Sequence, residues 1–184
     1  MRKPVVGVMG ASENDALTES EKARVKELAD NLGAVLAQHG CVLVTGATTG
    51  LPNLVAKAVR SYGGLSLGIS PASNRKEHVQ NYKLPEEAAD VIIYTGFGYK
   101  GRNVINVRSA DIVIIFGGAT GTLNEFTIAY DEGKIIGVLE GSGGVADHIR
   151  EVIKFCKKPT QGLVVFDKDP EKIVERCLEA LSRV

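Results

Sequence analysis

Short runs of aliphatic and β-branched residues recur along the chain, separated by stretches in which apolar positions return every three or four residues. The runs are Pro4–Met9, Cys41–Thr45, Leu65–Ile69, Val91–Thr95, Asp111–Phe116, Ile135–Leu139 and Leu163–Phe166. Most are continuously apolar rather than alternating, which marks strands buried on both faces of a parallel sheet. Strands of this kind alternating with helical periodicity predict βα units. The expected fold is α/β: a Rossmann-like three-layer sandwich, with a mostly parallel sheet of about seven strands and helices on both faces. It forms a single domain over residues 1–184, because no repeat, low-complexity stretch or linker divides the chain.

Helix ends are marked by their own chemistry. Thr18 followed three positions later by Glu21 reads as a capping box, ahead of Val25, Leu28, Leu32, Val35 and Leu36 on one helical face, and Gly40 supplies the stop. Asp169 as cap and Pro170 at the first helical position open a last helix that turns Ile173, Val174, Cys177, Leu178 and Leu181 toward the sheet. Val145, Ile149, Val152, Ile153 and Cys156 outline another amphipathic helix. Residues Ala72–Glu87 carry the weakest pattern and are expected to form a loop or short helix flanking the site.

Composition narrows the function classes. The chain has 184 residues, 44% of them apolar, and a formal net charge of zero. There is thus no basic excess to draw it to nucleic acid, and Tyr94, Phe97 and Tyr99 are too few and scattered to form a base-stacking surface. No stretch approaches the roughly 18 apolar residues of a membrane span. The N-terminus enters a strand pattern rather than a signal peptide, so a cytoplasmic protein with no membrane partner is expected. Cys41, Cys156 and Cys177 each fall in an apolar periodic run and are expected in the core. His39, His78 and His148 lack metal-ligand spacing, so capping or surface roles and no metal are expected.

In an open parallel sheet, ligands collect at the carboxyl ends of the strands, where helix N-termini present free N–H groups. Four strand ends here are rich in glycine and small residues: Gly7–Ser12, Thr45–Pro52, Gly117–Thr122 and Glu140–Gly144. Together they suggest a shared polar cradle. The first turn lacks G-x-G-x-x-G and no acidic residue closes the second strand, which argues against a nicotinamide dehydrogenase. Gly50 is followed by Leu51-Pro52 and no lysine, which argues against a P-loop NTPase. The stretch from Gly101 to Glu125 says most. Arg102 and Asn103 are expected to start a helix containing Val104, Ile105 and Val107, and Gly117–Thr122 leads into the helix that carries Glu125. This path brings a guanidinium and a carboxylate to one edge of the sheet, beside an anion-binding turn. Competing readings make Thr122 and Glu125 a capping box, Arg102 a surface ion pair with Asp111 or Glu125, and the glycines 117, 118 and 121 mere packing residues.

The arrangement resembles the Lonely Guy family of nucleoside 5′-monophosphate phosphoribohydrolases. Its wider superfamily includes molybdenum-cofactor carrier proteins and proteins labelled as possible lysine decarboxylases. The family motif is a basic pair followed by P-G-G-x-G-T-x-x-E. Here it stands as Arg102-Asn103 and then Gly117-Gly118-Ala119-Thr120-Gly121-Thr122-Leu123-Asn124-Glu125, without the proline and with one more residue between Gly-Gly and Gly-Thr. Gly10-Ala11-Ser12 resembles the family's first turn and Thr45–Leu51 its second, with Ala47 and Thr48 where glycine is common. Asn103 stands where the hydrolases usually carry lysine, which looks more like the carrier branch. As hydrolase, the resemblance implies cleavage of the N-glycosidic bond of a nucleoside 5′-monophosphate without a cofactor. Glu125 would then act on the ribose hydroxyls or the attacking water, and Arg102 on the phosphate or on substrate orientation. Asn103 and the turn Gly117, Gly118, Ala119, Thr120, Gly121 and Thr122 would bind the ligand, with Gly10, Ser12, Thr45 and Gly46 lining the same cleft. As carrier or sensor, the same turns would hold a phosphorylated, nucleotide-like ligand without turnover. The resemblance also implies a homodimer or higher homo-oligomer, with an apolar helix such as Val104–Val107 facing the partner.

Overall fold

The computed structural model describes residues 2–12 and 18–183. Seven parallel strands, β1 (Val5–Gly10), β2 (Val42–Thr45), β3 (Leu65–Ser70), β4 (Val91–Tyr94), β5 (Ile112–Phe116), β6 (Ile135–Leu139) and β7 (Val164–Asp167), form one sheet in the order β4-β3-β2-β1-β5-β6-β7. Every expected strand is present to within a residue at each end. Expected as mostly parallel, the sheet is parallel at every pairing.

The helices are α1 (Glu19–Gln38), α2 (Leu51–Ser61), α3 (Gly98–Ser109), α4 (Thr120–Asp131), α5 (Ile149–Cys156) and α6 (Pro170–Leu181). Strand β5 shows how they make three layers. Ile112, Ile114 and Phe116 face a core shared with α1, α2 and α6, whereas Val113 and Ile115 face a second core with α3, α4 and α5. A strand covered on both sides has no polar face to display, which is why its sequence is an unbroken apolar run.

The expected caps form. Thr18 and Glu21 make a reciprocal capping box on α1, Gly40 follows its end with φ of 65°, and Asp169 accepts from the Glu171 amide ahead of Pro170 in α6. The helix expected around Val145–Cys156 is a 3₁₀ turn, Gly144–His148, running into α5. The weakly patterned stretch after β3 contains a π-helical turn, Glu77–Asn81.

Three expectations change. Cys41 and Cys177 are buried, and burial pushes their thiols up to about 11 and about 12, but Cys156 is exposed because the eight-residue α5 ends there in a left-handed Lys157. His78 is fully buried rather than capping or at the surface. Helix α3 begins at Gly98, four residues before Arg102, and its Val107 lies inside the core and cannot face a partner.

Going outward from β1, strands are added in one direction as β2, β3, β4 and in the other as β5, β6, β7. The order therefore reverses between β1 and β5, and helices leave this point on opposite faces of the sheet. A crevice opens at the carboxyl ends of the two strands, which end side by side at Gly10 and Phe116.

Candidate functional site

A cavity of about 540 Å³ occupies this switch point, a size suited to a small-molecule ligand. Its floor is the N-terminus of α4. Helix α4 has no side-chain cap and no acidic residue in its first turn. Among the described residues, the amides of Gly118 through Thr122 have no hydrogen-bond acceptor, since the first one used is Leu123 N–H to the Ala119 carbonyl. Free amides at the positive end of a helix dipole make a site that favours an anion.

The turn ahead of α4 is held from behind. The Gly117 amide donates to Ser142 Oγ at 2.8 Å, and Ser142 Oγ donates to the Leu139 carbonyl. The Gly117 and Gly118 carbonyls accept from the amides of Ala146 and Val145. Gly118 has φ of 100°, and a Cβ there would overlap the Thr122 side chain, so only glycine fits. Gly121 is different. Its φ is not in the left-handed region, and a Cβ built on it meets nothing within 4 Å. The space it leaves open is the cavity itself.

Above this floor lies a buried polar cluster formed by facing surfaces of α3 and α4. Arg102 Nη1 donates to Glu125 Oε1 at 3.0 Å and to Asn103 Oδ1 at 2.8 Å. Asn103 Nδ2 donates to Asn124 Oδ1 at 2.8 Å, and Asn106 Nδ2 donates to Glu125 Oε1 at 3.2 Å. Arg102 is 6% exposed and Glu125 5% exposed, so this is no surface ion pair. Burial lowers the arginine pKa, with Glu125 opposing. Burial likewise raises the glutamate pKa above the ordinary carboxylate value, against the pull of Arg102 and the Asn106 bond. Glu125 Oε2 has no hydrogen-bond partner among the described residues, and Glu125 borders the cavity. Lys100 also borders it, so the cavity carries two cations against one carboxylate.

The capping reading of Thr122 and Glu125 is thereby corrected. The residue capping α4 is Ala119, and Glu125 lies too far along the helix to reach back to its amides. Arg102 pairs with Glu125, not with Asp111, which is held by Arg2 and the Val5 amide.

Of the residues singled out from sequence, Gly10, Ser12, Arg102, Asn103 and Glu125 border the cavity, as do Gly118, Ala119, Gly121 and Thr122. Thr45, Gly46, Gly117 and Thr120 do not border it, and Thr120 is exposed at the first position of α4. Thr45 Oγ1 accepts from the Ala47 amide. A Cβ on Gly46 would overlap the Arg102 guanidinium, so this glycine makes room for the arginine. Gly10 allows β1 and β5 to approach, because a Cβ there would sit 2.6 Å from the Phe116 carbonyl oxygen. The fourth glycine-rich turn is not part of the cradle. Its Gly141 and Gly143 amides are taken by the Asp147 carboxylate, and its contribution is the Ser142 bond. Ala11 and Thr48, which lie in two of the expected turns but were not singled out as ligand-binding, also border the cavity, whereas sequence reading missed Tyr99 and Lys100 there, and the supporting bonds of Asn106 to Glu125 and of Ser142 to Gly117. A signal existed for Asn106, which sits one helical turn after Arg102 on the same face.

Residues 3–174 match the model of the SLOG cluster4 family. An uncharacterised protein of Archaeoglobus fulgidus is 36% identical over 162 residues, covering 85% of this chain and 96% of that protein. Among solved structures, the molybdenum cofactor binding protein from the phototrophic bacterium Rippkaea orientalis is 30% identical with a TM-score of 0.78, covering 98% of this chain and 99% of the other. The molybdenum cofactor carrier protein from Chlamydomonas reinhardtii is 26% identical with a TM-score of 0.76, and each chain is covered in full, 100%. No helix among the described residues is long and apolar enough to cross a membrane.

Proposed function

The chain belongs to the SLOG cluster4 family, and from that membership and the geometry of the switch point we propose that it binds a nucleoside 5′-monophosphate or a closely related phosphorylated ligand and hydrolyses its N-glycosidic bond. The observation that carries this reading is the pairing of an uncapped helix N-terminus with a buried carboxylate that borders the same cavity and has one oxygen without a hydrogen-bond partner among the described residues. The phosphate lies on the amides of Gly118–Thr122, with Lys100 adding charge. The ribose then reaches Glu125. Water adds to the anomeric carbon, the glycosidic electron pair leaves with the base, and a proton transferred to the base completes free base and ribose 5-phosphate. A transition state of oxocarbenium character gathers positive charge at the ribose, where the Glu125 carboxylate stabilises it. Arg102, paired to Glu125 and pressed on Gly46, fixes the position of that carboxylate.

A second reading has its own support. Asn103 bridges Arg102 and Asn124 where the hydrolases usually carry lysine, and two structures with similar folds bind or carry molybdenum cofactor. On this reading the same cradle holds a phosphorylated ligand without turnover. Incubation with AMP separates the two. Adenine released in proportion to enzyme is expected for the hydrolase, whereas a rise in melting temperature without adenine assigns the cavity to a carrier or sensor.

The same proposal includes self-association. Val91 and Ile93 on the outermost strand β4 are about half exposed, at 49% and 48%, and an apolar strip of this kind on a sheet edge gains by meeting a second copy. Light scattering is expected to give about twice the 19.6 kDa chain mass. A mass equal to one chain at micromolar concentration would refute it.

A further inference from the structure

Tyr99 lies in the first turn of α3 at the border of the cavity, and 46% of its surface is exposed. Burying a ring of this size is worth about 2 kcal/mol, so an aromatic residue left open at a cavity needs a physical reason. Its surroundings are ordered to hold it still. The Tyr82 ring stands nearly perpendicular to it, with centroids 5.4 Å apart and planes at 78°. Tyr82 directly follows the π-helical turn Glu77–Asn81, and that turn is anchored by the buried His78. His78 Nδ1 lies 2.8 Å from Ser70 Oγ and its Nε2 lies 3.2 Å from the Pro85 carbonyl. Because a carbonyl only accepts, Nε2 carries a proton and donates it to the Pro85 carbonyl. Ser70 Oγ in turn accepts from the Ala72 amide. A chain of bonds thus runs from the end of β3 to Tyr82 and so to one side of Tyr99, leaving the rest of that ring to the cavity.

We propose that Tyr99, steadied by Tyr82, is the stacking platform for a planar heterocycle, so that the cavity selects a ligand bearing both a phosphate and an aromatic base over a bare sugar phosphate. This rests on the phosphate reading given above and assigns the other end of the ligand. A π-face accepts any base, so the platform sets the class of ligand and not the identity of the base.

The test is calorimetric titration of wild type, Tyr99→Ala and Tyr99→Phe with two ligands, ribose 5-phosphate and formycin 5′-monophosphate, whose carbon-linked base resists hydrolysis. Tyr99→Ala is expected to weaken the nucleotide roughly five- to hundredfold, on the scale of one base–aromatic stack, and to leave ribose 5-phosphate unchanged. Tyr99→Phe should retain wild-type affinity for both. Nucleotide binding undiminished in Tyr99→Ala, or an equal loss for both ligands, would overturn the platform while leaving the phosphate cradle standing. Failure of wild type to bind either ligand would overturn the cradle and the platform together.

Discussion

Replacing Gly121 by leucine is expected to abolish binding of a phosphorylated ligand while leaving the fold at least as stable as wild type. Gly121 sits in the first turn of α4 with an ordinary helical backbone, and among the described residues no atom beyond its chain neighbours and its own helix backbone lies within 4 Å of where its Cβ would be. Glycine in a helix costs about 0.5–1 kcal/mol relative to a good helix former, and no packing against the described residues accounts for it here. What it permits is close approach of a ligand to the amides of the first turn. A leucine side chain would occupy that volume and deny a phosphate at least two charge-assisted hydrogen bonds. At about 1.5–3 kcal/mol each, their loss weakens binding by roughly a hundredfold or more. Thermal melting and titration with ribose 5-phosphate report the two effects separately. Unaltered affinity in Gly121→Leu would mean that the anion does not sit over α4. Gly118 cannot serve this purpose, because any side chain there is strained at φ of 100° and collides with Thr122, so lost binding would reflect a lost turn.

The strands were legible because burial on both faces writes itself as a continuous apolar run, and the first and last helices because their caps are local chemistry. Helix α3 was legible only in its second half. Its buried residues are Arg102, Asn103, Asn106 and Val107, so the face turned inward is largely polar and the apolar periodicity that marks a helix is missing. The two glycines near its start, Gly98 and Gly101, hide its first turn as well. In α4 the inward face likewise carries Thr122 and Glu125 ahead of Phe126 and Ala129. Local sequence rules fail where two helices turn polar side chains toward each other, and that is where the cavity lies. Ser142 and His78 were invisible for another reason. Each acts through hydrogen bonds that no motif spacing reveals, Ser142 with the Gly117 amide and the Leu139 carbonyl, His78 with Ser70 and the Pro85 carbonyl. The four glycine-rich turns looked alike in sequence. Only the partner of their amides separates the turn at Gly117, whose amides from Gly118 to Thr122 have no acceptor among the described residues, from the turn at Gly141, which spends those of Gly141 and Gly143 on Asp147.

Glu125→Gln is expected to lower any hydrolysis of AMP by about a hundredfold or more, the scale of one electrostatic group in an active site, without a matching loss of stability. Two physical accounts of the Arg102–Glu125 pair predict different outcomes. If the pair were chiefly a structural ion pair, removing one charge would leave a buried guanidinium without its partner and cost about 3–5 kcal/mol. The raised pKa of Glu125 argues the other way, because burial of the carboxylate outweighs both Arg102 and the Asn106 hydrogen bond. Glutamine keeps an amide oxygen for Arg102 and Asn106 and removes the buried charge, so its stability should match or exceed that of wild type at neutral pH. The pH dependence has a definite sign. A carboxyl whose folded pKa is raised contributes its full share of stability below the unfolded value of 4.5, and that share is lost as pH rises through the folded value. Wild type should therefore lose stability relative to Glu125→Gln as pH is raised from 4.5, and the two should differ least in their pH trend below it. Activity runs in the opposite sense. Hydrolysis that depends on the ionised carboxylate should fall on the acid side at a pH above the usual glutamate range, and that limb should vanish from the residual activity of Glu125→Gln. Melting curves and initial rates of adenine release, each taken across this range for both proteins, decide the matter. A loss of several kcal/mol in Glu125→Gln with an unchanged rate would make the pair a structural device, whereas a fall in rate at preserved stability assigns Glu125 to the chemistry.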